Sequence, residues 1–130
     1  DGGGPQLHHH ATPVRVRRLP RVAVVAIRRV LLIVNPASRR GRRALPRVLA
    51  AFGAAGVTCT VHETAATGHA AAIAREHAAA SDAVFALGGD GTAMEVLHAM
   101  QGRAQPVGIL PAGARRKLLS DVGRTLLEGR

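Results

Sequence analysis

The chain has 130 residues, 47% of them apolar, and a formal charge of +10 from 18 basic and 8 acidic side chains. That length and core content suit one small domain; Phe52 and Phe85 as the only aromatics exclude a base-stacking platform, and Cys59 as the only cysteine excludes a disulfide framework or a cysteine-based zinc cluster. No apolar run is long enough to span a membrane, and arginines at 17, 18, 28 and 29 break the stretch a signal peptide would need, so a reducing, cytoplasmic setting is expected.

Residues 1–29 are rich in Gly, Pro and Arg and read as a flexible basic leader, with the domain proper at 30–130. His8, His9 and His10 are adjacent on one tether and make a poor metal cage; they belong with the leader or a cloning-derived stretch. Residues 22–27 are not counted as a strand.

From residue 30 the pattern alternates. Residues 30–34 (Val-Leu-Leu-Ile-Val) form a continuous β-branched run, the mark of a strand buried on both faces, and Asn35-Pro36 ends it. Leu45, Val48, Leu49 and Phe52 then recur at helical spacing up to Gly56. Residues 57–62 alternate as a strand. Thr67 is the expected cap of a helix on which Ala70, Ile73, Ala74 and His77 share a face. Residues 83–87 form a third buried strand. Ala93, Val96, Leu97 and Met100 mark a third helix, residues 107–110 a fourth strand, and Leu118, Leu119, Val122 and Leu126 a last helix. Strands alternating with helices predict an α/β, Rossmann-like three-layer fold with a parallel sheet.

Such sheets bind ligands beyond the carboxyl ends of their strands. Four loops should meet there: residues 35–42, 63–67, 88–92 and 111–116. The most informative is Gly88-Gly89-Asp90-Gly91-Thr92. Glycine leaves backbone N–H groups uncovered, so phosphate oxygens can come close, and the next helix directs its partial positive charge to the same place. A carboxylate in an anion hole makes sense if Asp90 meets phosphate through Mg²⁺ or accepts a proton from an attacking hydroxyl. Thr92 either caps the helix or bonds a phosphate oxygen.

Residues 33–38 (Ile-Val-Asn-Pro-Ala-Ser), Thr64 with Gly68-His69-Ala70, residues 87–92 with Glu95-Val96, and residues 106–113 (Pro-Val-Gly-Ile-Leu-Pro-Ala-Gly) occur in that order. Over residues 30–128 this resembles the catalytic domain of the diacylglycerol kinase family, which includes bacterial lipid kinases and sphingosine and ceramide kinases. The resemblance implies the ATP-binding half of a lipid kinase that passes the γ-phosphate to a lipid hydroxyl such as diacylglycerol, at an anionic membrane surface, with Mg²⁺. It implies ATP contacts at Thr64, Gly88, Gly89, Asp90, Gly91 and Thr92, with Asn35 lining the site; Asp90 is the catalytic candidate on the reading of the residues themselves.

Three departures stand out. The family usually continues its last motif with Gly-Thr-Gly-Asn or Gly-Thr-Ala-Asn, whereas Gly113 is followed by Ala114, Arg115 and Arg116. Met94 stands where Asn is common. The family's second, β-rich domain, which supplies the catalytic base, metal-binding residues and much of the lipid site, has no counterpart before Arg130, so this polypeptide alone is expected to be poorly active or inactive.

The other candidates carry less. His62, His69, His77 and His98 are dispersed without metal spacing, and His77 reads as packed against the core. Glu95 and His98 read as a surface pair, and Cys59 as a small core residue. Arg39-Arg40-Gly41-Arg42-Arg43 either clamps phosphates or head groups beside the cleft or forms a solvated loop. Two other function classes compete. An NAD kinase-like phosphotransferase shares the Gly-Gly-Asp-Gly-Thr loop but not the motif at 108–113. A non-catalytic anion- or nucleic-acid-binding module explains the charge but not the glycines.

Overall fold

The computed structural model describes residues 27–111, 113, 117, 119 and 121, together with the backbone of Arg15–Val16. Its elements are β1 (Arg15–Val16), β2 (Arg29–Val34), α1 (Arg39–Ala54), β3 (Thr58–Glu63), α2 (His69–His77, followed by a 3₁₀ turn at Ala78–Ala80), β4 (Ala83–Gly88), α3 (Asp90–Ala99) and β5 (Val107–Pro111). The strands form one sheet in the order β1-β5-β4-β2-β3. β2, β3, β4 and β5 are mutually parallel, and β1 joins β5 antiparallel. The Rossmann-like parallel α/β fold is therefore present.

The apolar runs fall where two-sided burial demands them. β2 is buried from Val30 to Val34, and β4 from Ala83 to Leu87. Alternate residues serve opposite faces. Val30, Leu32 and Val34 pack with Phe85, Leu87 and Leu110 against Ala44, Val48 and Phe52 of α1, where Leu119 also lies. Leu31 and Ile33 pack with Val84 and Ala86 against Ile73 and Ala74 of α2 and Val96 and Met100 of α3. The first face is closed by Phe52 and Phe85, edge to face at 5.1 Å, a contact worth about 1 kcal/mol beyond its buried area. Gly108 is required beneath it, because a Cβ there would run into the Phe85 ring. β3, at the sheet edge, alternates exposed and half-buried residues, and Cys59 on it is half-buried. Burial pushes the Cys59 thiol up to about 11, which makes it an inert packing group.

Several expectations are corrected. The segment after β2 is not a loop as far as residue 42, because α1 begins at Arg39 with the Ser38 hydroxyl accepting from the Gly41 N–H at 3.0 Å. Ser38 supplies the cap that starts the helix early. The domain core begins before residue 30, since Ile27 is buried with the α1 face, and the leader contributes Arg15–Val16 to the sheet. On α3, Leu97 is exposed and the buried side is Thr92, Val96 and Ala99. The last helix is described at residues 117, 119 and 121, of which Leu119 is buried, and Ala114, Arg115 and Arg116 lie outside the described residues.

Candidate functional site

β2 sits between β3 and β4. The helix that follows β2 packs on one face of the sheet and the helix that follows β4 packs on the other. The chain therefore diverges at the carboxyl ends of β2 and β4 and opens a crevice there. A cleft of about 420 Å³ occupies it, walled by residues 35–37 after β2, 64–67 after β3, Ala70 of α2, and Gly91, Thr92 and Glu95 of α3.

Local hydrogen bonds hold each wall. The Ala37 N–H donates to Asn35 Oδ1 at 2.9 Å, and the Ser38 N–H donates to the Asn35 carbonyl at 3.0 Å. Asn35 thus spends its acceptor on the turn that delivers α1. The Thr64 N–H donates to the Val34 carbonyl at 2.9 Å, which extends the β2–β3 pairing to the cleft rim. The Ala65 N–H donates to His69 Nδ1 at 2.7 Å, so this imidazole accepts through Nδ1 and folds residues 65–69 back on themselves.

The two helix N-termini at the cleft are finished differently. α2 starts after Gly68, which is left-handed at φ 89° and offers no side-chain cap. Its free N–H groups are met from α3: Gly68 N–H donates to Glu95 Oε2 at 2.9 Å, and Ala71 N–H donates to Glu95 Oε1 at 3.3 Å. A carboxylate at that end also suits the helix dipole. α3 starts after Gly89, an extended N-cap with no side chain to offer. Among the described residues, apart from chain neighbours and the helix's own nearby backbone, no atom lies within 4 Å of where a Cβ would stand on Gly89 or Gly91, and no side chain caps the first N–H groups of α3. Gly88, with φ 143°, turns the chain from β4 into this helix in a conformation other residues rarely adopt, with its Cβ position against Asn35.

Of the seven candidate residues, Asn35, Thr64, Gly91 and Thr92 share the cleft wall. Gly88, Gly89 and Asp90 immediately precede them in the turn, with Asp90 exposed as the first residue of α3. Thr92 is buried and two residues into the helix, so it does not cap it. Thr67 does not cap α2 either, because Gly68 holds that position. Glu95 is not half of a surface pair with His98; it bridges α3 to α2. The signal for it was the glycine ahead of α2, which leaves a terminus that some distant carboxylate must serve. His62 and His77, far apart in the chain, stack with ring centroids 4.3 Å apart. Burial, then the neighbouring His77 and to a smaller extent His69, hold His62 below the usual imidazole range against an opposing pull from Glu76. No group of three or more His, Cys, Asp or Glu suited to a metal occurs among the described residues.

The diacylglycerol kinase catalytic domain model matches residues 29–126. The chain belongs to that family. Three solved structures of diacylglycerol kinases from Bacillus anthracis str. Sterne, two described so provisionally, share the fold at TM-score 0.64 and 24% identity over 80% of this chain. The chain spans only 40–45% of their length. No curated protein matches it at a significant level. Among the described residues no helix is long and apolar enough to cross a membrane.

Proposed function

We propose that this family domain is the ATP-binding half of a lipid kinase, acting on a lipid hydroxyl such as that of diacylglycerol from the membrane periphery on the cytoplasmic side. The observation that carries the reading is the open N-terminus of α3, brought to the cleft by a glycine turn and faced by Asn35 and Thr64. Bare N–H groups and the helix dipole favour phosphate oxygens there. Thr64 and Thr92 add hydroxyls to the wall.

In this reading phosphoryl transfer depends on positioning and charge stabilisation. The acceptor oxygen bonds to the γ-phosphorus, the bond to the bridging oxygen breaks, and Asp90 on the rim takes the hydroxyl proton. Mg²⁺ fits the donor set: with phosphates and water present it needs only one or two protein carboxylates. In the alternative role Asp90 would hold it, the bound ion would offset phosphate charge, and the hydroxyl proton would pass to solvent instead.

The test is Gly89→Val followed by calorimetry with Mg-ATP. Gly89 has φ −85° and open space around it, so valine fits the fold and obstructs only an incoming phosphate. ATP affinity is expected to disappear while the unfolding midpoint stays in place. Unchanged affinity removes residues 88–92 from the nucleotide site.

A further inference from the structure

We propose that His69 is a positioning residue for the nucleotide: as a neutral imidazole it fixes residues 64–67 as one wall of the cleft, and when protonated it releases that wall, so ATP affinity falls on acidification. The inference rests on the nucleotide reading of the cleft.

Residues 64–67 follow β3, the edge strand of the sheet, and supply four of the residues that wall the cleft. A segment at a sheet edge has the sheet on one side only, so its shape depends on a few bonds. Its ends are tied to other elements: the Thr64 N–H to the Val34 carbonyl of β2, and the Gly68 N–H to Glu95 of α3. Between these ties His69 closes the turn. The Ala65 N–H donates to His69 Nδ1 at 2.7 Å, and the His69 N–H donates to the Ala66 carbonyl at 3.1 Å.

The first of these two bonds depends on a proton. Nδ1 accepts only while it carries no hydrogen, which leaves the ring neutral with its proton on Nε2. An imidazolium donates from both nitrogens, so after protonation the Ala65 N–H would face a second N–H. The bond then gives way to repulsion, and residues 65–67 keep only the ties at their ends. β3 and α2 stay in place, and the change is confined to the connection that walls the cleft.

The charged groups around His69 come from three elements. On β3 it is His62, which feels the charge of His69 and stacks on His77. On α3 it is Glu95, bonded to the Gly68 and Ala71 N–H groups. α2 itself carries Arg75, Glu76 and His77 at its far end, and β2, on which α2 also packs, has no titratable side chain from Val30 to Val34. On this side the cleft is walled by residues 64–67 and Ala70, with the half-buried His69 behind them. Its proton therefore acts through the loop and not by direct attraction for phosphate.

The experiment is calorimetry of the full chain with Mg-ATP from about pH 8 to about pH 5, the range in which imidazoles titrate. The variants are His69→Asn, His69→Ala and His62→Gln. Asparagine sets an amide oxygen where Nδ1 stands and takes up no proton in this range. His69→Asn should bind like wild type at the alkaline end, and it serves as the reference that cancels the titration of ATP itself. Relative to it, wild type should weaken roughly tenfold at the acid end, the worth of one hydrogen bond lost to a backbone donor. His69→Ala should show that loss already at the alkaline end. His62→Gln should keep the wild-type fall, which assigns the proton to His69 and not to its neighbour. A wild-type profile parallel to that of His69→Asn, tighter binding on acidification, a fall abolished by His62→Gln, or wild-type affinity in His69→Ala overturns the proposal. The Ala65 amide proton, followed by NMR without ATP, should shift with pH in wild type and stay fixed in His69→Asn; a resonance that moves equally in both also overturns it. If that resonance behaves as expected but wild type binds no ATP at any pH, the nucleotide reading fails and the His69 bond to the loop stands.

Discussion

The N-termini of α2 and α3 open on the same cleft, and the protein treats them in opposite ways. At α2 a carboxylate from the neighbouring helix occupies the position an anion would take, and two backbone N–H groups are satisfied internally. At α3 the corresponding groups follow glycine, and no described side chain caps them. The sealed terminus is architecture, since Glu95 ties the two helices of one face together. In the proposed reading the open terminus is where a ligand's phosphate does what Glu95 does next door.

Closing the open end is the most severe way to break this contrast. Gly89→Asp places a capping carboxylate on α3, satisfying the N–H groups and repelling phosphate at once. ATP affinity should fall at least about a hundredfold by calorimetry, since one hydrogen bond to a charged phosphate is worth about 1.5–3 kcal/mol and several are displaced. Folding stability should rise by a few tenths of a kcal/mol in urea. A variant that still binds ATP shows that phosphate does not use this terminus.

Opening the sealed end is the converse. Glu95→Ala strips the acceptor from Gly68 and Ala71, and stability should drop by about 2 kcal/mol. Glu95→Gln keeps one oxygen and the shape but loses the charge, so its loss should be nearer about 1 kcal/mol. Equal urea midpoints for wild type and Glu95→Ala would mean that water serves α2 as well as the carboxylate does.

The smallest effect sharpens the same asymmetry through pH. The α2 side contains the His62–His77 stack, and burial is the first cause holding His62 below the ordinary imidazole range. A histidine whose pKa is lower folded than unfolded binds more protons when unfolded. Its contribution is therefore complete above the unfolded value near pH 6.5 and is lost as pH falls toward the folded one. Stability should decline modestly on acidification through that window, and His62→Gln should flatten the decline. A wild-type profile that rises on acidification, or one unaltered by the substitution, contradicts the assignment.

Much of this was legible from the residues in order. The runs at 30–34 and 83–87 announced central parallel strands because burial on both faces leaves no room for polar alternation. The Gly-Gly-Asp-Gly-Thr turn, the Asn-Pro turn and Thr64 were legible as neighbours because a parallel sheet brings its carboxyl-end loops together. What misled were local signals with a second possible use. Thr67 looked like a cap, yet the chain turns left-handed at Gly68 one residue later. The arginine run at 39–43 looked like a loop, yet Ser38 caps a helix there and the small residues Gly41 and Ala44 face the core between the charges. Leu97 looked like core, yet Thr92 and Val96 set the buried side of α3.

The amino-acid order by itself determined the alternation of strands and helices, the glycine turn and the excess of positive charge, because each depends on residues near one another in the chain. Only the tertiary structure decided that Glu95 closes α2 across 24 to 27 residues of sequence and that His62 stacks on His77. Those facts depend on which faces of separate helices meet the sheet and each other, and that is settled by packing over the whole core.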